Sequence, residues 1–180
     1  MTHRRAALTR SAIGGVAQAC QRFVGVLVEL ADLVNLARFV ADSRWGDIPP
    51  VMRHEAKRAL LNWMGCAIGG CRDDTVERAL AALNEFSGAR TSSLIGRHEK
   101  MDALHAALIN GISSNILDYD DTHLRTVMHP TVPVAAALCA LAEHRPVTGA
   151  QFIQAFVLGI EVACRVGNAV SPWHYAHGWH

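Results

Sequence analysis

Apolar residues recur at helical spacing along most of this chain, and that period limits the fold more than any other feature. The first such stripe comprises Leu30, Leu33, Val34, Leu36, Ala37 and Val40, and it ends near Asp42. Apolar residues at i, i+3, i+4 and i+7 are typical of an amphipathic helix. Aromatic residues make up only 6% of the 180, and small aliphatic side chains favour packed helices over a sheet. The predicted class is all-α.

Helix-starting and helix-ending residues divide the first half of the pattern. Pro49-Pro50 can open a second helix, because proline is tolerated in a first turn. Gly69-Gly70 is expected to end that helix. Asp73 or Asp74 then caps a third helix, which is predicted to close near Gly88.

The second half continues in the same way. Predicted elements are an extended segment at 91–96, a fourth helix at about 101–117 and a fifth that Thr131 and Pro133 start and that runs over 134–144. Thr148 and Gln151 have capping-box spacing and open a sixth helix, which Ser171-Pro172 ends. Residues 29–180 are therefore predicted to be mainly helical, with an irregular segment at Asp118–His129. A parallel sheet through 51–117 would contradict this.

Charge and cysteine content exclude several classes of protein. Net charge is +1, with 17 basic and 16 acidic residues interspersed. The sequence therefore shows no basic face of the kind that binds nucleic acid, and no nucleic-acid partner is expected. Five irregularly spaced cysteines are typical of reduced thiols rather than a disulfide scaffold, which predicts a cytoplasmic protein. The apolar run Phe23–Leu30 is far shorter than the ~20 residues that span a bilayer, so no membrane partner is expected.

The first 28 residues differ from the rest in composition. Arg4, Arg5, Arg10 and Arg22 occur there, and no acidic residue precedes Glu29. An Arg-rich, acid-poor leader is typical of an organellar transit peptide, and an unstructured leader is the alternative that we favour. Residues 1–28 are therefore predicted to be a basic, poorly ordered extension, and 29–180 to be the folded domain.

The densest polar cluster lies between two strongly apolar helices. It runs Leu117-Asp118-Tyr119-Asp120-Asp121-Thr122-His123 and continues to Met128-His129-Pro130. Three carboxylates within four residues repel one another, so at least one needs a partner or a raised pKa. A histidine can be that partner, or a general acid or base near neutral pH. Tyr119, Asp121, Thr122 and His123 add groups that can bind a polycarboxylic acid.

Three alternatives compete with a functional interpretation of this cluster. Asp120 or Asp121 can cap a turn, as acidic residues at helix ends often do. An Asp/His cluster can also hold a divalent metal, although fixed metal-motif spacing is absent. A solvated loop without function is the third. Composition and spacing alone leave all of them open.

Specific motifs here resemble those of the MmgE/PrpD family, which contains 2-methylcitrate dehydratases, cis-aconitate decarboxylases and an iminodisuccinate epimerase. The central match runs from Asn110-Gly111 through Asp118-Tyr119-Asp120-Asp121-Thr122-His123 to His129-Pro130-Thr131-Val132-Pro133-Val134. Flanking matches are Arg58-Ala59-Leu60-Leu61-Asn62 with Gly65-Cys66, Leu158-Gly159-Ile160-Glu161-Val162 with Arg165, and Gly178-Trp179-His180. The resemblance covers about residues 29–180.

This resemblance implies roles for particular residues. It implies that Asp118, Thr122 and His129 are catalytic, and it adds His180 to the substrate-binding set of Tyr119, Asp121 and His123. It implies no metal, iron–sulfur cluster or other cofactor. Asn168 stands where the decarboxylase branch has a further active-site His, so decarboxylation is the less favoured reaction.

The family also implies an architecture and an activity. Its members have a helical domain and a smaller α+β lid, and they act as lyases on small di- or tricarboxylic acids such as 2-methylcitrate or cis-aconitate, as homodimers. This chain matches only the first part of the helical domain, and the family's later Lys and lid Tyr lie beyond residue 180. We therefore expect a truncated, inactive fragment. The alternatives are a non-catalytic helical dimerisation module and an isomerase or epimerase of the same family.

Overall fold

The computed structural model describes residues 33–178, and that part of the chain is mainly helical. Its seven helices are α1 Leu33–Asp42, α2 Pro50–Gly70, α3 Asp74–Leu83, α4 Ala103–Asn115, α5 Thr131–Ala142, α6 Gly149–Val170 and α7 Trp173–Ala176. Two short antiparallel strands, β1 Ser92–Ser93 and β2 Lys100–Met101, form the sheet of the described residues. The all-α class is confirmed. The predicted extension at 1–28 and the predicted site residue His180 lie outside the described residues.

Local capping signals place the starts of several helices. The Asp73 side chain accepts a hydrogen bond from the Thr75 backbone N–H at 2.8 Å and begins α3. The Thr148–Gln151 capping box forms as expected: the Thr148 N–H donates to Gln151 Oε1 at 2.8 Å, and the Gln151 N–H donates to Thr148 Oγ1 at 3.2 Å. These caps satisfy N–H groups that the first turn of a helix leaves without an intrahelical partner.

Helix α2 ends at Gly70, so Gly69-Gly70 forms its last two residues and the helix runs two residues past the predicted end at Ile68. Both glycines are helical, and each faces another segment closely. A β-carbon at Gly70 would overlap the Ser113 carbonyl oxygen, and one at Gly69 would lie 2.8 Å from Leu117 Cδ1. The two glycines therefore lie at the end of α2 and also allow its close packing against the end of α4.

Further boundaries differ from the prediction, among them the end of α3 and the start of α4. Helix α3 ends at Leu83, before Gly88. Met101 belongs to β2, because it pairs with Ser92, and Asp102 caps α4 by accepting from the Leu104 and His105 N–H groups. The strand pairing thus ends one residue before the helix cap.

The chain divides into two compact units. The described part of the first comprises 33–59, 121–130 and 153–178, and it includes the buried Ile48, Met52, Phe156 and Ile160. The second comprises 60–120 and 131–152. Its core consists of Val76, Leu94, Met101, Ala106, Ile109 and Ala140.

Among residues 33–178, one helix is long and apolar enough to cross a membrane by length and composition alone. It is α6, and 39% of its most apolar stretch is buried inside the protein. The core helix of a globular protein passes the same test. The expected absence of a membrane partner stays a prediction.

Candidate active site

The segment from Asp118 to His129, called the acidic segment below, is irregular between α4 and α5, as predicted. Helix α4 ends at Asn115, and the Asp118 N–H donates to the Asn115 carbonyl at 3.1 Å. Asp118 then takes a left-handed backbone conformation, with φ at 51°, and its side chain is exposed. A non-glycine residue in this region carries backbone strain, which is often found at functional sites.

Two asparagines hold the part of the acidic segment that belongs to the second unit. Asn62 Nδ2 donates to the Tyr119 backbone carbonyl at 3.0 Å and leaves the phenol exposed. Asn115 Nδ2 lies 3.3 Å from a carboxylate oxygen of Asp120, which is 3% exposed. Sequence reasoning did not assign a role to either asparagine. Only the position of Asn62 in the matched early helix motif pointed to it.

Asp118 and Asp120 bring two negative charges together in that unit. One oxygen of each carboxylate lies within 4.8 Å of the other. Two carboxylates at this separation repel each other, and a cation between them is favourable. Oxygen pairs of this kind also suit divalent cations, which is the metal alternative considered above.

The remaining part of the acidic segment belongs to the first unit and closes into a tight turn. The His123 N–H donates to the Met128 carbonyl at 2.7 Å, and the Thr126 and Val127 N–H groups both donate to the His123 carbonyl. Val127 has φ at 56°, which is unusual for a β-branched residue. The turn is therefore built by backbone hydrogen bonds and closed at some cost in strain.

The His123 ring lies inside this turn rather than on its surface. The residue is 1% exposed, and its Nδ1 lies 2.6 Å from Thr126 Oγ1. Burial lowers the pKa of His123, and the nearby Arg125 lowers it further. The imidazole is therefore neutral at neutral pH, and its assignment to substrate binding stays a prediction.

Helix α6 supports the turn from the same unit. A β-carbon on Gly167 would overlap Met128 Sδ and would lie 3.5 Å from Thr126 Cγ2, so only glycine allows this approach.

Cys164, also on α6, has a raised pKa. Burial of the thiol is the largest cause, and the carboxylates of Glu161 and the buried Asp121 add to it, so that the pKa rises to about 12. Cys164 is therefore a neutral thiol, not a nucleophile.

An ionic pair lies on α6. Arg165 Nε donates to Glu161 Oε1 at 2.7 Å, and the two side chains are 12% and 8% exposed. Burial raises the pKa of Glu161, and the hydrogen bond from Arg165 opposes that shift. The pair was not among the predicted site residues, although both members lie in a matched family motif.

The predicted site residues are distributed over the two units. Asp118 and Tyr119 belong to the second, and Asp121, Thr122, His123 and His129 to the first. Thr122 and His129 are half-buried. The convergence of Asp118, Thr122 and His129 on one pocket stays a prediction.

Residues 34–180 match the MmgE/PrpD N-terminal domain. The chain belongs to the MmgE/PrpD family. This match covers all seven described helices except the first residue of α1, and it includes the whole acidic segment. The family resemblance seen in the motifs is thereby confirmed.

Two curated relatives of this chain come from Aspergillus species. The cis-aconitate decarboxylase-like protein oryM of Aspergillus oryzae is 30% identical over 154 residues, which are 81% of this chain and 32% of that protein. The cis-aconitate decarboxylase of Aspergillus terreus is 27% identical over 140 residues, which are 74% of this chain and 29% of that enzyme. The chain thus spans about a third of the length of the relatives it matches.

Proposed function

We propose that this chain carries part of the substrate-binding and proton-transfer site of a lyase acting on small di- or tricarboxylic acids. The observation that supports this most is the acidic segment of a MmgE/PrpD domain, where Asp118 is held at φ 51°. Glycine adopts this conformation at the least cost, whereas Asp118 brings a carboxylate to the position. 2-Methylcitrate and cis-aconitate represent the substrate class.

His129 is the proton-transfer residue in this proposal. Of the two histidines in the acidic segment, His123 is buried, has a lowered pKa and uses Nδ1 within the turn. His129 is half-buried and precedes Pro130, which favours an extended backbone at that position. It therefore has the exposure that a general acid or base needs.

The remaining residues bind the substrate or orient His129. Asp118 orients His129 or adjusts its basicity, and the Thr122 hydroxyl donates to a substrate carboxylate. Tyr119, Asp121, His123 and His180 complete the substrate-binding set.

In a dehydration, the base removes a proton alpha to a carboxylate while an acid protonates the departing hydroxide as water. In a decarboxylation, carbon dioxide leaves and the acid protonates the carbon.

Dehydration is the favoured of these two reactions. Asn168 stands where the decarboxylase branch is expected to carry a histidine, and an amide does not transfer protons in this pH range. Its Oδ1 atom is buried and has no hydrogen-bond partner within residues 33–178. A hydroxyl group, which 2-methylcitrate has and cis-aconitate lacks, is a suitable donor to that oxygen. Isomerase or epimerase chemistry of the same family is the alternative.

The cellular setting belongs to the same proposal. We place the chain in the cytoplasm and as part of a homodimer, without metal or organic cofactor. The competing proposal is a non-catalytic helical dimerisation module, which the exposed apolar side chains Leu61 and Leu104 favour. Such a module has no need to bind a polycarboxylate, so binding separates the two.

Titration of the labelled 180-residue chain with 2-methylcitrate, followed by NMR, tests the proposal. We expect saturable shifts confined to residues 118–130 and nearby α6. H129A should weaken binding about tenfold, the effect of losing roughly 1.4 kcal/mol of charge-assisted hydrogen bonding. H98Q, which changes an exposed histidine elsewhere, is the matched control. An equal response to propionate, or no saturable shift, would contradict the proposal.

A further inference from the structure

The first unit contains an apolar cavity of about 270 Å³ between α1, α6 and the start of α2. The described residues that line it include none of the acidic segment, so the proposed function does not use this cavity. Apolar side chains make up most of its wall: Phe39, Ile48, Pro49, Met52, Val157 and Leu158. Since a dry apolar cavity of ~150 Å³ can bind benzene, this one has room for an aromatic molecule of about two rings.

Hydrogen bonds from two side chains fix the walls of this cavity. Gln154 of α6 donates through Nε2 to the Ser43 carbonyl at 3.0 Å, directly after the end of α1. Arg53 of α2 donates to the Trp45 and Ile48 carbonyls, at 2.8 Å each. Both α6 and α2 are thus tied to the loop that follows α1. The cavity is therefore pre-formed, as small-molecule sites usually are, and an occupant supplies the contacts that its walls lack.

The charged groups at the cavity favour a neutral occupant. Asp47 accepts a hydrogen bond from the Arg44 N–H at 2.7 Å. The Arg44 guanidinium donates to the Ala41 carbonyl at 2.9 Å, at the end of α1 beside Asp42. This cation already lies at the acidic end of the cavity, so a ligand needs no positive charge there. No basic side chain contributes to the described lining, so an anion would lose its hydration without gaining a partner.

Glu161 offers a hydrogen-bond acceptor to an occupant. It lines the cavity from α6, and its side chain is 8% exposed. Arg165 Nε donates to Oε1 at 2.7 Å, and within residues 33–178 the other carboxylate oxygen, Oε2, receives no hydrogen bond. A carboxylate oxygen with so little access to water gains from a donor, and hydrogen bonds to a charged acceptor are the stronger ones. An occupant with one O–H or N–H group is therefore favoured over a hydrocarbon.

We propose that this cavity binds a neutral aromatic molecule of about two rings that carries a single hydroxyl or N–H group, of the size of naphthol or indole. The rings fill the volume between Phe39, Met52 and Leu158, and the polar group donates to Glu161 Oε2. Such a ligand differs from a di- or tricarboxylic acid in both charge and polarity. The cavity is therefore a second binding site, for a class of molecule other than the proposed substrate.

Titration of the full 180-residue chain with 2-naphthol, followed by NMR of labelled methionine methyl groups, tests this proposal. The Met52 methyl should shift in a saturable way, whereas the methyl of Met101, in the core of the second unit, should not. Naphthalene should bind about tenfold more weakly, because it lacks the donor to Glu161. 2-Naphthoate should give no saturable shift, because its carboxylate has no partner in the cavity.

Variants of α6 locate the ligand, with the fold of each checked by circular dichroism. V157F should weaken 2-naphthol binding about tenfold or more, because the larger side chain fills the cavity and removes the contacts of the ligand. V166F is the matched control in the same helix: Val166 is exposed and does not line the cavity, so binding should be unchanged. E161Q keeps the volume of the side chain and removes its charge, and it should reduce the preference for 2-naphthol over naphthalene to less than about threefold.

Three results would overturn the proposal. The absence of a saturable shift at the Met52 methyl would mean that 2-naphthol does not enter the cavity. Equal affinities for 2-naphthol and naphthalene, or an E161Q variant with an unchanged preference, would remove the role of Glu161. Equal binding by folded V157F and V166F would place the ligand elsewhere on the chain. If V157F does not fold, the E161Q comparison decides the assignment by itself.

Discussion

Asp118 combines an unfavourable backbone with a useful side chain. Its φ of 51° lies in the left-handed region, which glycine adopts at the least cost and aspartate at less cost than most other residues. Its carboxylate also lies close to that of Asp120. Stability alone would favour another residue here, so a role for the carboxylate in binding explains its presence.

Replacement of Asp118 by glycine should separate stability from binding. D118G should stabilise the chain by ~0.4–1 kcal/mol in urea unfolding, because it removes backbone strain and one of two close charges. It should also abolish the NMR response to 2-methylcitrate. V127G, at φ 56°, is the matched control and should give similar relief without loss of binding. A destabilised D118G would mean that the carboxylate serves the fold.

His123 makes the stability of the fold depend on pH. Its pKa is lowered in the folded chain, so the unfolded chain binds more protons as the pH falls below about 6.5. Stability should therefore decrease on acidification from pH 7 towards pH 5. H123Q should flatten this dependence in thermal unfolding scans, whereas H98Q should leave it unchanged. The opposite slope would contradict a buried neutral imidazole.

At the scale of elements, helix starts could be predicted from the sequence more securely than helix ends. Thr148 with Gln151 and Asp73 act on N–H groups within three residues, so their pattern is visible locally. The close approach of Gly70 to Ser113 joins residues that are far apart in the chain. Likewise Met101 joins a strand because Ser92 pairs with it. Such non-local contacts leave no local signal.

The same limit applies to the supports of the candidate site. The acidic segment is evident in the sequence because its charges are crowded. Asn62, which holds the Tyr119 carbonyl, and Gly167, which faces Met128, lie far from it in the chain. Only the matched family motif drew attention to the region of Asn62. Positioning residues of this kind require the fold to be known.

Two glycines of α2 offer a direct test of the packing argument. G70A should destabilise the chain by ~1–3 kcal/mol, because its methyl group would meet the Ser113 backbone. G65A is the matched control in the same helix: nothing lies within 4 Å of a β-carbon there, and it should stabilise by up to ~1 kcal/mol. Urea unfolding measures both. Equal effects of the two changes would mean that α2 does not pack closely at Gly70.

At the scale of the whole molecule, the fold class and the family could be predicted from the helical period and the motifs. The division into two units could not, because each unit combines segments that are distant in sequence, such as 33–59 with 153–178. The chain also matches only about a third of its curated relatives. The activity of the chain by itself is therefore a separate question from its family.

The isolated chain should not turn over 2-methylcitrate or cis-aconitate. The family resemblance places a catalytic Lys and a lid Tyr beyond residue 180, and loss of groups that act as a unit removes most of the rate. A coupled or NMR-based assay of both acids over several hours measures this. Turnover well above a heat-denatured control would show that residues 1–180 suffice for catalysis.

In the proposed function, His129 and its acidic segment perform the proton transfer. The most direct test is kcat of a full-length family member in which the histidine of the matching His-Pro-[Ser/Thr] motif is changed to alanine. We predict a fall of about 10²–10⁴-fold with the fold retained by circular dichroism, the usual contribution of a general acid or base. A fall in kcat of less than about threefold would be far smaller than that contribution and would contradict the assignment.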